Sequence, residues 1–308
     1  MELADGAPPG AYTFLVGLVR SDTGQTVAAH ELGGFALTRP GSGARQLEEG
    51  MMAAAETAVS QNLRLLGTRL DRREAAPGDV ARVTAVWQAA AGVATNEFEL
   101  QLVGEDGTAV LRQFVTIAAD YPLAQWQPGD RLRSETILRL PPGLDSGDYT
   151  WRLLWGDQDV ALGDLRVAAP ERSFTPVAVD TAVNATFSDL ATLLGVSFSP
   201  SPAHPLSLSP ILVWRAEREM TTSYRVFVHL VDAAGQIVAQ SDGEPANWGR
   251  PTTGWLPGEI VVDEYTLMLP DALPDGRLRL RLGLYDPETG ERLPVAAADF
   301  VEIALPDG

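Results

Sequence analysis

Few residues in this chain could carry out chemistry. His30, His204 and His229 are its three histidines, they stand far apart, and there is no cysteine. A histidine-based zinc site needs close spacings such as HExxH, and none occurs, so the histidines are expected to be structural. The acidic turns GEDG at 104–107 and DSGD at 145–148 have the composition of calcium loops without their ligand spacing. Asp and Gly are also what hairpin turns select. Glycoside hydrolysis needs two carboxyl groups facing each other across about 5–10 Å. Asp263 and Glu264 are consecutive in a strand-like run and so point to opposite faces. Asp120 with Glu135, or Asp242 with Glu244, could be paired on paper, but among 41 acids such pairs are cheap to propose. No GxSxG elbow, P-loop or dinucleotide fingerprint in its proper context is present. The expectation is a protein that is not an enzyme, with no metal and no cofactor.

Tryptophan is more informative. Trp87, Trp151, Trp155 and Trp214 fall inside apolar runs and are expected in a core. Trp126, Trp248 and Trp255 stand beside polar loops, in PLAQWQPGD and EPANWGRPTTGWLPGE. An exposed indole can stack on the flat face of a sugar while nearby Asp, Asn and Arg bond its hydroxyls. Trp248, Asn247, Arg250 and Asp242, with Trp255 and Trp126, are therefore the candidate glycan-binding residues. Against this, Trp126 and Trp255 recur at equivalent places, as residues capping the open end of a core would. Trp248 has no counterpart, which makes it the better ligand candidate.

The elements that must position these residues read as strands. FELQLVGEDG from Phe98 and YRVFVHLVDAAG from Tyr224 alternate apolar and polar residues and run into Gly-containing turns. In WLPGEIVVDEYTLMLP, from Trp255 to Pro270, Pro257 and Gly258 make a turn. A strand follows, with Ile260, Val262 and Glu264 on one face and Val261, Asp263 and Tyr265 on the other. Pro270 closes that strand because it has no N–H to give to a ladder.

The same phrase occurs 129 positions earlier as WQPGDRLRSETILRLP. Trp126 falls on Trp255, Gly129 on Gly258, Pro141 on Pro270 and Gly147 on Gly276; at an offset of 128, Gly107 falls on Gly235 and Gly67 on Gly195. That period is too long for a solenoid or a propeller blade and matches a whole β-sandwich, which points to a duplicated domain. The expected fold is all-β, with tandem immunoglobulin/fibronectin-like β-sandwiches at 59–170 and 187–308 joined by a Pro-rich linker at 171–186.

Composition supports a folded, turn-rich chain of two domains: 308 residues with 22 prolines and 29 glycines. A net charge of −18 opposes nucleic-acid binding. No run reaches the roughly 18–20 apolar residues of a membrane helix, and MELADGAPPG lacks the features of a signal peptide. A membrane link is expected only through an upstream segment or a partner.

From Gly10 the sequence GAYTFLVGLVRSDTGQTV overlays GRLRLRLGLYDPETGERLPV from Gly276, with Gly17 on Gly283, Leu18 on Leu284 and Gly24 on Gly290. Residues 1–40 are thus read as an N-terminal β-hairpin resembling the end of a further repeat. A lone hairpin is marginal in water, so this one is expected to join the sheets of its own chain or a partner, or to self-associate. Between the hairpin and the first sandwich, 41–58 is read as a linker, and ARQLEEGMMAAAETAVSQ, which begins within it at Ala44, has the helix formers that predict a short helix there.

The segments SDLATLLGVSF, YRVFVHLVDAAGQIVAQSDGEP, PTTGWLPGEIVVDEYTLMLP and LRLRLGLYDPETGERLPV resemble a known family region. It is the C-terminal extracytoplasmic region of bacterial dolichyl-phosphate-mannose mannosyltransferase-like membrane glycosyltransferases and related surface proteins. The resemblance covers about 187–295 and is weaker over 59–170. It implies a non-catalytic β-sandwich on the outer side of a bacterial membrane, a structural or interaction module of a cell-surface assembly. A glycan-binding accessory role is the alternative.

Overall fold

The computed structural model describes residues 10–19, 26–37, 52–199, 207–274 and 276–305. The chain is all-β. Strands β1 (Gly10–Val19) and β2 (Thr26–Leu37) form a hairpin. The first repeat carries β3 (Met52–Ser60), β4 (Leu63–Leu70), β5 (Glu74–Ala75), β6 (Val80–Ala89), β7 (Glu97–Gly104), β8 (Ala109–Thr116), β9 (Arg131–Arg139), β10 (Gly147–Trp155) and β11 (Gln158–Val167). The second carries β12 (Thr181–Phe187), β13 (Ala191–Ser199), β14 (Ser207–Ala216), β15 (Arg225–Val231), β16 (Ile237–Gly243), β17 (Ile260–Glu264), β18 (Leu267–Met268), β19 (Arg279–Tyr285) and β20 (Val301–Ala304).

These strands form sheets of order β3-β4-β6-β9 and β5-β11-β10-β7-β8, then β12-β13-β14-β17 and β16-β15-β19-β20. Two compact units result. One comprises Met1–Arg73, Ala81–Leu138 and Asp148–Leu165; the other comprises Glu74–Val80, Arg139–Gly147 and Arg166–Gly308.

In the first unit the period-two pattern turns Leu63 and Leu65 of β4 and Leu100 and Leu102 of β7 into a dry core. Trp87 of β6 bridges the sheets, its ring centroid 5.2 Å from Phe98 of β7 and 6.2 Å from Trp155 of β10. In the second unit Leu193, Leu212 and Trp214 face Val226, Val228 and Leu230 of β15 and Leu280, Leu282 and Leu284 of β19. The four tryptophans expected in cores are all buried.

The opposite face of β15 is also covered, because Phe227 is buried against His229, Tyr285 and the guanidinium of Arg292. Gly283 makes room for that ring: a Cβ there would stand 2.4 Å from Phe227 Cζ and 3.1 Å from the Asp299 carbonyl oxygen. Gly283→Ala should therefore lower stability by about 1–3 kcal/mol through overpacking. Urea denaturation would show this, and a loss under about 0.5 kcal/mol would mean the ring moves freely.

Two sequence expectations change. Residues 52–60 of the predicted helix form β3 instead, antiparallel to β4, and residues 44–51 lie outside the described residues. Alanine's helix preference is worth only tenths of a kcal/mol per residue, less than a ladder of sheet hydrogen bonds and the burial of Val59. The first sandwich thus begins by Met52. The linker is also shorter, because Thr181 already pairs with Val196 in β12–β13. That hairpin turns on Ser188 and Asp189, both at positive φ.

Candidate functional site

The recurring tryptophan phrase is a hydrogen-bonded turn. In the first copy a 3-10 turn at Leu123–Gln125 leads into Trp126, whose Nε1–H donates to the Tyr121 carbonyl at 3.0 Å. Asp130 accepts the Gln127 N–H at 2.8 Å and the Tyr121 hydroxyl at 3.1 Å. In the second, Thr252–Gly254 leads into Trp255, whose Nε1–H donates to the Arg250 carbonyl at 3.1 Å, and Glu259 accepts the Leu256 N–H at 2.8 Å. Gly129 and Gly258, both at positive φ, donate to Ala89 and Ala216 at the ends of β6 and β14.

Trp255 is wholly buried and serves the turn and the core, whereas Trp126 is half-buried and lines a separate cavity with Ala90, Gly92 and Val93. Arg250 is placed elsewhere too. With Arg172 it clamps the fully buried carboxylate of Glu259.

Trp248, Asn247 and Asp242 do come together. They line a cavity of about 590 Å³ between the end of β16, the turn at 244–248 and the strand carrying Glu264 and Tyr265. Ala246, Asn247 and Trp248 have φ of +53°, +52° and +69°, so one turn of left-handed helix is made from three non-glycine residues. Each such residue costs roughly 1–2 kcal/mol, and such strain persists only where surrounding contacts enforce it.

Those contacts are visible. Trp248 N–H donates to the Glu244 carbonyl at 3.1 Å, and Arg250 N–H to the Pro245 carbonyl at 3.0 Å. Asp263 accepts the Ala246 N–H at 2.7 Å, and Glu244 accepts the Ser223 hydroxyl at 2.9 Å. Arg225 lies 4.8 Å over the Trp248 ring, which still keeps 54% of its surface exposed. Asp242 is anchored by His229 Nε2 at 3.3 Å.

Beneath the cavity sit two groups that sequence reasoning did not select, Asp263 and Tyr265. Asp263 is wholly buried, and burial pushes its carboxyl up to about 6, with the Ala246 N–H and Tyr265 opposing the shift. Tyr265 is raised well above its ordinary value by burial and then by Asp263, with smaller effects from Asp242 and Tyr285. The Tyr265 hydroxyl and the Asp263 carboxyl interact with each other, but with geometry short of a well-aligned hydrogen bond.

In the first copy Ser134 stands where Asp263 stands, and its Oγ accepts the Trp87 indole N–H at 3.0 Å. The corresponding indole of Trp214 is buried without a partner. The substitution of a serine that satisfies the fold by an acid that does not is the signal in the sequence, visible once the copies are aligned.

A folded pKa of about 6 against an ordinary 3.8 means that the folded chain binds this proton more tightly. The contribution of Asp263 to stability is therefore full below about pH 4 and is lost as pH rises through about 6. Asp263→Asn, which keeps an acceptor for Ala246 and removes the charge, should raise stability at pH 7.5 and flatten the pH dependence between about 4 and 6.5. Urea melts at pH 4.5 and 7.5 measure this; an Asn variant weaker at both would contradict it.

Among the described residues there is no group of three or more His, Cys, Asp or Glu that could hold a metal, and no helix long and apolar enough to cross a membrane. His204 lies outside the described residues. No protein-family model and no curated protein matches the chain. Solved structures that align with it include a Salmonella α2-macroglobulin mutant at 14% identity, with a TM-score of 0.25, over 97% of this chain and 19% of that one. The native conformation of Escherichia coli α2-macroglobulin aligns at 13% identity, with a TM-score of 0.26, over 97% of this chain and 18% of that one. The chain spans about a fifth of the length of these proteins, and a likeness this slight says nothing of its function.

Proposed function

We propose that the chain is a non-catalytic structural module of a bacterial cell-surface assembly, outside the cytoplasm, which associates through its N-terminal hairpin. The observation that carries this is the state of β1–β2. Among the described residues the hairpin pairs with no other strand. Leu15 and Val16, which point to opposite faces, are 65% and 56% exposed, and Val27 and Leu32 are exposed as well. A hairpin apolar on both faces and open on both edges is built to be covered.

Its sequence says by what. It overlays β19, which lies between β15 and β20 and buries Leu280, Leu282 and Leu284. Gly17, exposed in the hairpin, matches Gly283, which makes room for the ring of Phe227. The occupant is therefore a sandwich of this same kind in another chain, joined by strand addition. The resemblance of 187–295 to extracytoplasmic regions of membrane glycosyltransferases supports the location. Leu15→Lys with Val16→Lys should abolish association in analytical ultracentrifugation while leaving the far-UV spectrum of the sandwiches unchanged. Association undiminished by both lysines would remove the hairpin from the account.

A further inference from the structure

We propose that the cavity beside the left-handed turn at 246–248 binds a saccharide that is neutral or carries amino groups, with the indole of Trp248 as its stacking platform. This goes beyond the assembly role and is independent of the hairpin. Three observations carry it.

The first is shape and lining. The cavity of about 590 Å³ lies within the range of small-ligand sites, about 300–1,000 Å³. It offers one large, half-exposed aromatic face beside polar side chains that can bond hydroxyls. The Asn247 amide is exposed and makes no hydrogen bond among the described residues, so it can serve a ligand as donor and acceptor.

The second is a polar pair beneath the cavity wall. Tyr265 lines the cavity and is only 7% exposed, and its hydroxyl leans on the Asp263 carboxyl without good hydrogen-bond geometry. Buried polar groups are ordinarily well satisfied, and a poorly matched pair just under a cavity is one that a small side-chain shift opens to a ligand hydroxyl. The fold does not require this pair, since the first copy has Ser134 and Thr136 in the same places.

The third is charge. Asp242, Glu244 and Glu264 line the cavity with no lining cation, and the nearby Arg225 is occupied over Trp248. A uronate or phosphate polymer would meet like charge, whereas a neutral or amino sugar would not. The strained turn fits this reading, because the chain maintains an unfavourable backbone to hold Trp248 and Asn247 at the cavity mouth.

The test is a glycan array of neutral, amino and acidic saccharides probed with the intact chain, followed by titration calorimetry on the tightest binder. Binding to a neutral or amino saccharide is expected. Trp248→Ala should weaken it at least tenfold with only a small change in melting temperature. Tyr265→Phe, which deletes one hydroxyl and preserves packing, should weaken it several-fold. The proposal is overturned if no saccharide binds, if the tightest is acidic, or if both variants bind as well as the parent. Loss of association in the hairpin variants with sugar binding intact would leave this site standing, and the reverse result would remove it alone.

Discussion

Replacing Glu259 with alanine is expected to destabilise the second unit by about 3–5 kcal/mol, the loss typical of breaking a buried charge network from one side. Glu259 is wholly buried, yet it accepts the Leu256 N–H and is gripped by Arg172 and Arg250. Arg172 also donates to the Gly254 carbonyl at 3.0 Å. Removing the carboxylate strands two poorly hydrated guanidinium groups and reopens the turn that seats Trp255. Removing either arginine alone leaves the other to neutralise Glu259, so Arg172→Ala and Arg250→Ala should each cost less. Asp130→Ala, at the equivalent turn, breaks hydrogen bonds to Gln127 and Tyr121, and a loss of about 1.5–3 kcal/mol is expected. Urea denaturation of the four variants ranks them. Glu259→Ala within about 1 kcal/mol of the parent would contradict this account of the turn.

Trp255→Ala should cost about 3–5 kcal/mol, because it empties a fully buried indole site and frees the Arg250 carbonyl. Trp248→Ala should cost under about 1 kcal/mol, since its ring is half exposed and packs against the Arg225 guanidinium and Gly243. The contrast separates two tryptophans only seven positions apart. Equal losses would make Trp248 a structural residue and dissolve the case for a ligand at the cavity.

The strands and the turns were legible because their signals are local. Alternation in YRVFVHLVDAAG and the Pro-Gly turn after Trp255 depend on neighbours in sequence, and the observed burial of Val261, Asp263 and Tyr265 on one face follows the two-residue period. The segment at 52–60 was misread because its partner, β4, supplies the hydrogen bonds that decide between helix and strand. Arg250 was grouped with Trp248 by proximity in sequence, whereas its charge is spent on Glu259, nine residues on. Asp263 was seen only as half of a failed catalytic pair. Its meaning appears when its burial and the Ala246 N–H it holds are set beside Ser134 in the other copy.

The most direct measurement of the central claim is the solution mass of the chain by light scattering, with and without residues 1–40. An oligomer is expected for the intact chain and a folded monomer for the shortened one, because the role proposed for the hairpin is to be covered by another chain's sheets. A monomeric mass for both, or an oligomer that survives the deletion unchanged, would contradict it.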